Sequence, residues 1–304
     1  ESAATSTAQT RADTFTAEAR YVRVTVTGLP PGTWASIVNF SVFSAATPGV
    51  QPFKGLAGGS CPLLDKLNVS WHYNWWIDPG DRGDPDDPND CDEPGFVPTI
   101  SGRKDMTAGD VEWHVDRVYD AGHTTLLGFN EPNKADQSNM TMAQVVDLWP
   151  TLTKDRGDQN LRVSSPSTSG DGKAWFEEFM KQAEAKELQV DFINLHWYGW
   201  NAGSCDANAS TFEAYINWAE SLPGNRPIWI TEWGCLNQSA PDRATVERFY
   251  AAAVTMFARH PRIERQSFYP WIKNHELTEP TDTPGTLGPL TPLGQAFADT
   301  PAYR

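Results

Sequence analysis

Leu126-Leu127-Gly128-Phe129-Asn130-Glu131-Pro132 is the stretch whose reading decides the fold. An apolar run delivers a carboxylate flanked by an amide and a proline. Proline has no N–H and fixes its φ, so a strand ends here and a loop begins. In a parallel barrel, Glu131 then stands at the C-terminal end of its strand, where such enzymes keep their chemistry. Pro227-Ile228-Trp229-Ile230-Thr231-Glu232-Trp233 has the same grammar, a β-prone run finishing on a glutamate beside an aromatic. Roughly a hundred residues separate the two glutamates, room for three βα units in a fold of about 250 residues.

One glutamate at a strand end reads as a solvated loop charge. Two of them, each crowded by aromatics, read as a pair of carboxylates across a cleft. Glycosidic cleavage needs such a pair: one carboxyl holds a proton for the leaving oxygen while the other stays ionised to attack carbon or activate water.

From Pro52 onward, strands and helices alternate, the pattern of βαβ units and a parallel sheet. The candidate strands are Lys54–Ala57, Val69–Tyr73, Phe96–Ile100, Thr124–Phe129, Arg162–Ser165, Asp191–His196, Ile228–Thr231 and Gln266–Trp271. Eight strands close an α/β (β/α)8 TIM barrel over residues 52–304, somewhat irregular after the second strand, where no helical pattern follows. Thr107 caps a helix running to Ala121, and Thr141 with Gln144 forms a capping box. Lys173–Glu187, Ser210–Leu222 and Arg243–His260 carry apolar residues at helical spacing. Pro150 is expected to end or kink its helix.

Residues 1–14 are rich in Ala, Ser and Thr and read as a disordered or linker start. Residues 15–46 read as a β-hairpin: Arg20–Val26 and Ala35–Phe43 alternate around the turn Pro30-Pro31-Gly32. The hairpin resembles the closing strands of a discoidin-type (factor 5/8 C) sugar-binding sandwich over about its last third. With most of that module missing, a purely structural hairpin is the simpler reading.

The 304 residues carry a net charge of −15, which argues against nucleic acid and anionic membrane as partners. No apolar run approaches the roughly 18 to 20 residues of a membrane span. Thirteen tryptophans exceed the needs of a core and point to flat stacking surfaces for sugars. Cys61, Cys91, Cys205 and Cys235 show no CxxC spacing, which disfavours zinc and redox chemistry and allows two disulfides. Neighbours are expected to pair, Cys61–Cys91 and Cys205–Cys235, in an oxidising, extracellular compartment. A secreted monomer is the expectation. The acidic run from Asp78 to Glu93 has Asp-x-x-Asp spacings that suit calcium, but it lacks the EF-hand order and reads as a solvated loop. No cofactor or metal is called for; His196 has no second histidine at ligand spacing.

The strand ends collect the candidate substrate-binding residues: Trp71, Tyr73 and Trp75; Asn130; His196, Trp197 and Tyr198; Trp233; Trp271 and Asn274. Aromatic faces stack on sugar C–H faces and amides bind hydroxyls. Alternate strand positions point into the wall, so about half of these aromatics are expected to be packing residues.

GFNEP, HWYG and ITEW resemble the large clan of retaining glycosidases built on (β/α)8 barrels. Together, VSWHYNW, FVPTISG, LLGFNEPN with QSNMT, and FINLHWYG resemble glycoside hydrolase family 128 over roughly residues 53–297. That resemblance implies an endo-acting β-1,3-glucanase whose partner is the glucan. It implies Glu131 as general acid/base, Glu232 as nucleophile, and Asn130 on the 2-hydroxyl. Tyr198 or His196 would contact the nucleophile, with the choice open. Many members carry Phe where this chain has Trp233, which leaves subsite shape open. Another β-glycan (mannan, galactan, xylan) or a non-catalytic glucan-binding protein are the alternatives.

Overall fold

The computed structural model describes residues 52–80, 95–154, 161–200, 205–236, 241–283 and 286–302. The linker start, the hairpin and most of the acidic run lie outside the described residues, as does Cys91. Seven strands are described: β1 Phe53–Ala57, β2 Trp71–Tyr73, β3 Thr125–Leu126, β4 Arg162–Val163, β5 Ile193–Trp197, β6 Ile228–Trp233 and β7 Ile263–Phe268. The helices are α1 Cys61–Leu67, α2 Ala108–Asp120, α3 Met142–Leu152, α4 Lys173–Ala185, α5 Ser210–Ser221, α6 Arg243–Phe257 and α7 Pro292–Asp299.

All strand pairings are parallel and run in a circle. One sheet has the order β2-β1-β7-β6-β5 and the other pairs β3 with β4. Single bridges close the gaps: His72 to Phe96, Thr99 to Leu127, Ser164 to Phe192 and Thr168 to Leu195. Phe96–Thr99 therefore serves as the eighth stave, held by bridges rather than a continuous ladder. β5 and β6 are buried along their whole length, as expected of strands covered on both faces.

The helix caps form as the sequence implied. Thr107 with Asp110 and Thr141 with Gln144 make reciprocal capping boxes. Three expectations need correction. Pro150 does not end its helix, which continues to Leu152. The last strand runs Ile263–Phe268 rather than Gln266–Trp271, because Pro270 has no N–H for the ladder and the charged Glu264 and Arg265 are accommodated at the barrel's lower end. The short helices α1 and α7 were not anticipated.

The lower end of the barrel is filled, not hollow. Trp71, Phe192 and Trp229 pack there, with the Arg265 guanidinium 4.4 Å from the Trp229 ring. Arg162 makes a bidentate pair with Glu264 at 2.7 and 2.5 Å. Lys54 is fully buried and donates to Leu67 O, Phe297 O and Thr300 O, which ties α7 to β1. Burial lowers its ammonium pKa to about 8, with Asp299 opposing. The upper, C-terminal end of the strands is thus the face left for a site.

Candidate active site

Glu131 follows the bridged segment after β3. Phe129 packs on Trp149 with ring centroids 5.8 Å apart, and a Cβ on Gly128 would come within 2.9 Å of the Trp149 ring. The chain then turns sharply: Glu131 adopts φ 41°, a left-handed conformation that costs a non-glycine residue about 1–2 kcal/mol. The surroundings over-determine it. Asn130 N donates to Ser101 O at 2.8 Å, Glu131 N donates to Ser167 O at 2.8 Å, and the Ser138 hydroxyl donates to the Asn130 and Ser101 carbonyls. Strain held this firmly aims the carboxyl into the barrel mouth.

Glu232 closes β6 and is surrounded by donors. Trp75 Nε1–H donates to Oε1 at 2.7 Å, and the Tyr73 hydroxyl lies 3.2 Å from the same oxygen and 2.9 Å from Thr231 O. The Tyr198 hydroxyl donates to Oε2 at 2.5 Å. Trp75 itself sits at φ 61°, with its carbonyl held by the Ser101 hydroxyl. Burial, and next the charge on Glu232, push both phenols well above the usual tyrosine value, so they remain donors.

His196 joins the two carboxyls. Its Nδ1 lies 2.9 Å from Glu131 Oε1 and 3.4 Å from Glu232 Oε2, while Nε2 meets Thr231 Oγ1 at 3.1 Å. Thr231 in turn donates to Asn194 Oδ1 at 2.6 Å. Burial pulls the imidazole pKa down, but the charge on Glu232 and the bond to Glu131 outweigh it, and the net direction is up. One oxygen from each glutamate and a ring nitrogen of His196 all lie within 4.8 Å of one another. The two carboxyls therefore face one another at the barrel mouth, as a pair acting on one glycosidic bond must. The same trio is a metal-ligating set by residue type, but a cation would have to displace the Trp75 and Tyr198 donors from Glu232.

The other candidates divide. Tyr73, Trp75, His196 and Tyr198 meet at the glutamates. Both members of the open choice approach the second glutamate, Tyr198 more closely, with His196 nearer Glu131. Asn130 is buried beside Glu131, its Oδ1 3.5 Å from the Ser167 hydroxyl. Trp271 is exposed at the rim. Asn274 takes φ 70° and donates to Pro241 O at 2.7 Å, tying the loop after β7 to the segment before α6.

Three substrate-binding expectations are corrected. Trp71 points into the barrel two residues below Tyr73, fully buried against Trp229 at 5.2 Å. Trp197 turns outward and stacks on Phe212 at 4.5 Å. Trp233 also turns outward, stacked on Tyr250 at 5.6 Å, with its N–H on Gln266. None of the three reaches the cleft. Tyr269, which the sequence reading passed over, sits edge-on to Trp75 and Tyr198. Its place at the end of the last strand, just before Pro270, was the available signal. Trp200, the most exposed of the large apolar residues described, was also missed, although it directly follows the HWYG run.

The disulfide Cys205–Cys235 joins the loops that follow β5 and β6. Leu236 N donates to Tyr198 O at 2.6 Å in the same place, so the link fixes Tyr198 relative to Glu232. Cys61 is also disulfide-bonded. Among the described residues, no helix is long and apolar enough to cross a membrane.

The model of the glycosyl hydrolase catalytic core matches residues 57–297, most of the chain. This chain belongs to that family. The family's catalytic core thus spans both glutamates and every strand but the first residues of β1. No curated protein matches this chain. Among solved structures it is similar to a subgroup I endo-β-1,3-glucanase of glycoside hydrolase family 128 from Amycolatopsis mediterranei, in complex with laminarihexaose. Identity is 25% and the TM-score 0.64, covering 83% of this chain and 100% of that one. A subgroup II endo-β-1,3-glucanase from Sorangium cellulosum is similar at 25% identity and TM-score 0.65, with 83% and 100% covered. A subgroup III exo-β-1,3-glucanase from Blastomyces gilchristii, at 22% identity and TM-score 0.63, with 83% and 100% covered, shares the fold. The resemblance to family 128 read from the motifs and the resemblance of the folds agree.

Proposed function

We propose that this glycoside hydrolase cuts β-1,3-glucan internally, with retention, through Glu232 as nucleophile and Glu131 as general acid/base. The observation that carries the mechanism is the trio in which His196 bridges two carboxyls with oxygens within 4.8 Å. The substrate class is supported by the laminari-oligosaccharides held in the similar structures. In the first step Glu232 attacks the anomeric carbon while Glu131 passes its proton to the departing glycosidic oxygen. In the second, Glu131 takes a proton from water, which displaces Glu232 and restores the original configuration. The N–H and O–H donors on Glu232 hold its carboxyl in place for attack. Asn130, buried beside Glu131, is the group for the 2-hydroxyl. An acidic secreted monomer suits work on a neutral, bulky polysaccharide.

Product analysis on a soluble β-1,3-glucan tests this, comparing the parent with Glu131→Gln and Glu232→Gln. The parent should release short oligosaccharides, and loss of the general acid should cost about 10²–10⁴-fold. If another β-glycan is cut and this one is untouched, the substrate assignment falls while the carboxylate pair stands. Binding with no cleavage of any glycan would make the protein a sugar binder.

A further inference from the structure

An open cavity of about 590 Å³ lies on the upper face, beyond Trp271 and away from the glutamates. Trp271 forms one wall, 51% exposed, so a ring face is free to stack. Leu63 and Leu277 supply apolar surface, and Arg243, Glu276 and Glu279 supply polar groups, with several threonines around them. Arg243 pairs with Glu279 at 3.1 Å and with Glu276 at 3.6 Å, and an antiparallel bridge from Thr278 to Leu290 pins the segment behind. The wall is therefore built before any ligand arrives.

A chain of contacts links the cavity wall to the catalytic pair. Trp271 Nε1–H donates to Ala57 O at 2.6 Å, which anchors the indole edge at the end of β1. At the next residue, a Cβ built on Gly58 would lie 3.3 Å from Trp271 and 3.4 Å from Trp75. The two indoles thus flank one glycine, whose φ of +75° also favours glycine. Trp75 in turn donates to Glu232. Packed residues thus run from the nucleophile through Trp75 and Gly58 to Trp271 at the cavity wall.

We propose that this cavity is a remote subsite holding sugar rings of the same glucan chain that is cut at Glu131 and Glu232. The inference rests on the proposed β-1,3-glucanase activity. An aromatic face suits the C–H face of a pyranose, while a guanidinium and carboxylates suit hydroxyls. Two carboxylates against one guanidinium repel an anionic ligand, and the polar rim disfavours a wholly apolar one. The volume falls within the roughly 300–1,000 Å³ of sites that enclose a ligand of a few rings.

Chain-length dependence tests the idea. Hydrolysis of laminaritriose, laminarihexaose and soluble glucan would be compared for the parent, Trp271→Ala and Trp271→Phe, with thermal unfolding as a check on folding. Trp271→Ala should lower kcat/KM on the hexasaccharide and polymer about tenfold relative to the trisaccharide, as for loss of one aromatic contact of about 1.4 kcal/mol. Trp271→Phe keeps a ring face without the N–H to Ala57 and should retain most of the length dependence. Calorimetric binding of the same oligosaccharides to Glu131→Gln with and without Trp271→Ala should show the same loss on the long ligand. An equal fall on all lengths, or a Phe variant as defective as Ala, would overturn the subsite. A parent that cuts no β-1,3-glucan would instead overturn the activity on which the inference rests.

Discussion

Tyr198→Phe isolates what the phenol does for the nucleophile. The hydroxyl donates to Glu232 Oε2 at 2.5 Å, and its own raised pKa keeps the proton on the phenol. A hydrogen bond to a charged group contributes about 1.5–3 kcal/mol. The bond holds that oxygen in place for attack, so its removal should slow the reaction, by a factor of ten for each 1.36 kcal/mol. kcat/KM should therefore fall about 10- to 150-fold, towards the lower end of that range. The lower end is expected, since His196 remains 3.4 Å from the same oxygen and Trp75 still donates to the other at 2.7 Å. The assay is kcat/KM for a soluble β-1,3-glucan from pH 3 to 9, measured as reducing ends. A variant with the parent's kcat, changed only in KM, would refute the reasoning. That result would make Tyr198 a substrate contact rather than a support that positions the nucleophile.

Trp71→Ala should act on stability alone. It empties a fully buried site in the barrel, at a cost of about 3–5 kcal/mol. A calorimetric Tm about 6–20 °C lower, with KM for glucan unchanged, is expected; a raised KM with Tm intact would restore Trp71 to the cleft. His260 lies between α5 and the end of α6, its Nδ1 2.9 Å from Glu220 and Nε2 3.3 Å from Glu213, which also binds Arg259. The bond to Glu220 and the neighbouring charges raise its pKa against partial desolvation. Its stabilisation is therefore complete below the unfolded value of about 6.5 and is lost as pH rises through the raised folded value. Tm should fall across that window in the parent and less in His260→Gln; parallel curves would sink the assignment. Replacing Cys205 and Cys235 together by serine opens a loop of sequence separation 30, worth about 3–4 kcal/mol by chain entropy. Tm should drop and kcat should fall with it, since the link sets Tyr198 against Glu232; loss of Tm with full kcat would separate the two roles.

The eight staves and both glutamates were legible because each strand ends abruptly, at Pro132 after Glu131 and at Gly234 after Trp233. What the sequence could not convey is the phase of side chains at those ends. Strict alternation puts every second residue on one face, but the β5–β6 register shifts between Leu195 and His196, and the β6–β7 register shifts between Ile230 and Trp233. An irregularity there re-aims each following side chain. It lets Thr231 meet His196 while Glu232 reaches the mouth and Trp233 turns outward to Tyr250. The run His196-Trp197-Tyr198 was therefore ambiguous as written: His196 and Tyr198 go in, and Trp197 goes out to Phe212. The last strand was misplaced for the opposite reason. Glu264 and Arg265 look like loop residues, yet Glu264 is paired with Arg162 and Arg265 lies over Trp229 at the foot of the barrel. Charged residues left outside the expected strand belong to it, and tryptophans read as sugar-facing were part of the core. Both errors share one cause: burial inside a closed barrel depends on partners from distant strands, which no local pattern names. The glutamates escaped that ambiguity because a carboxylate at a strand's C-terminal end is placed by the topology itself, whichever way its neighbours turn.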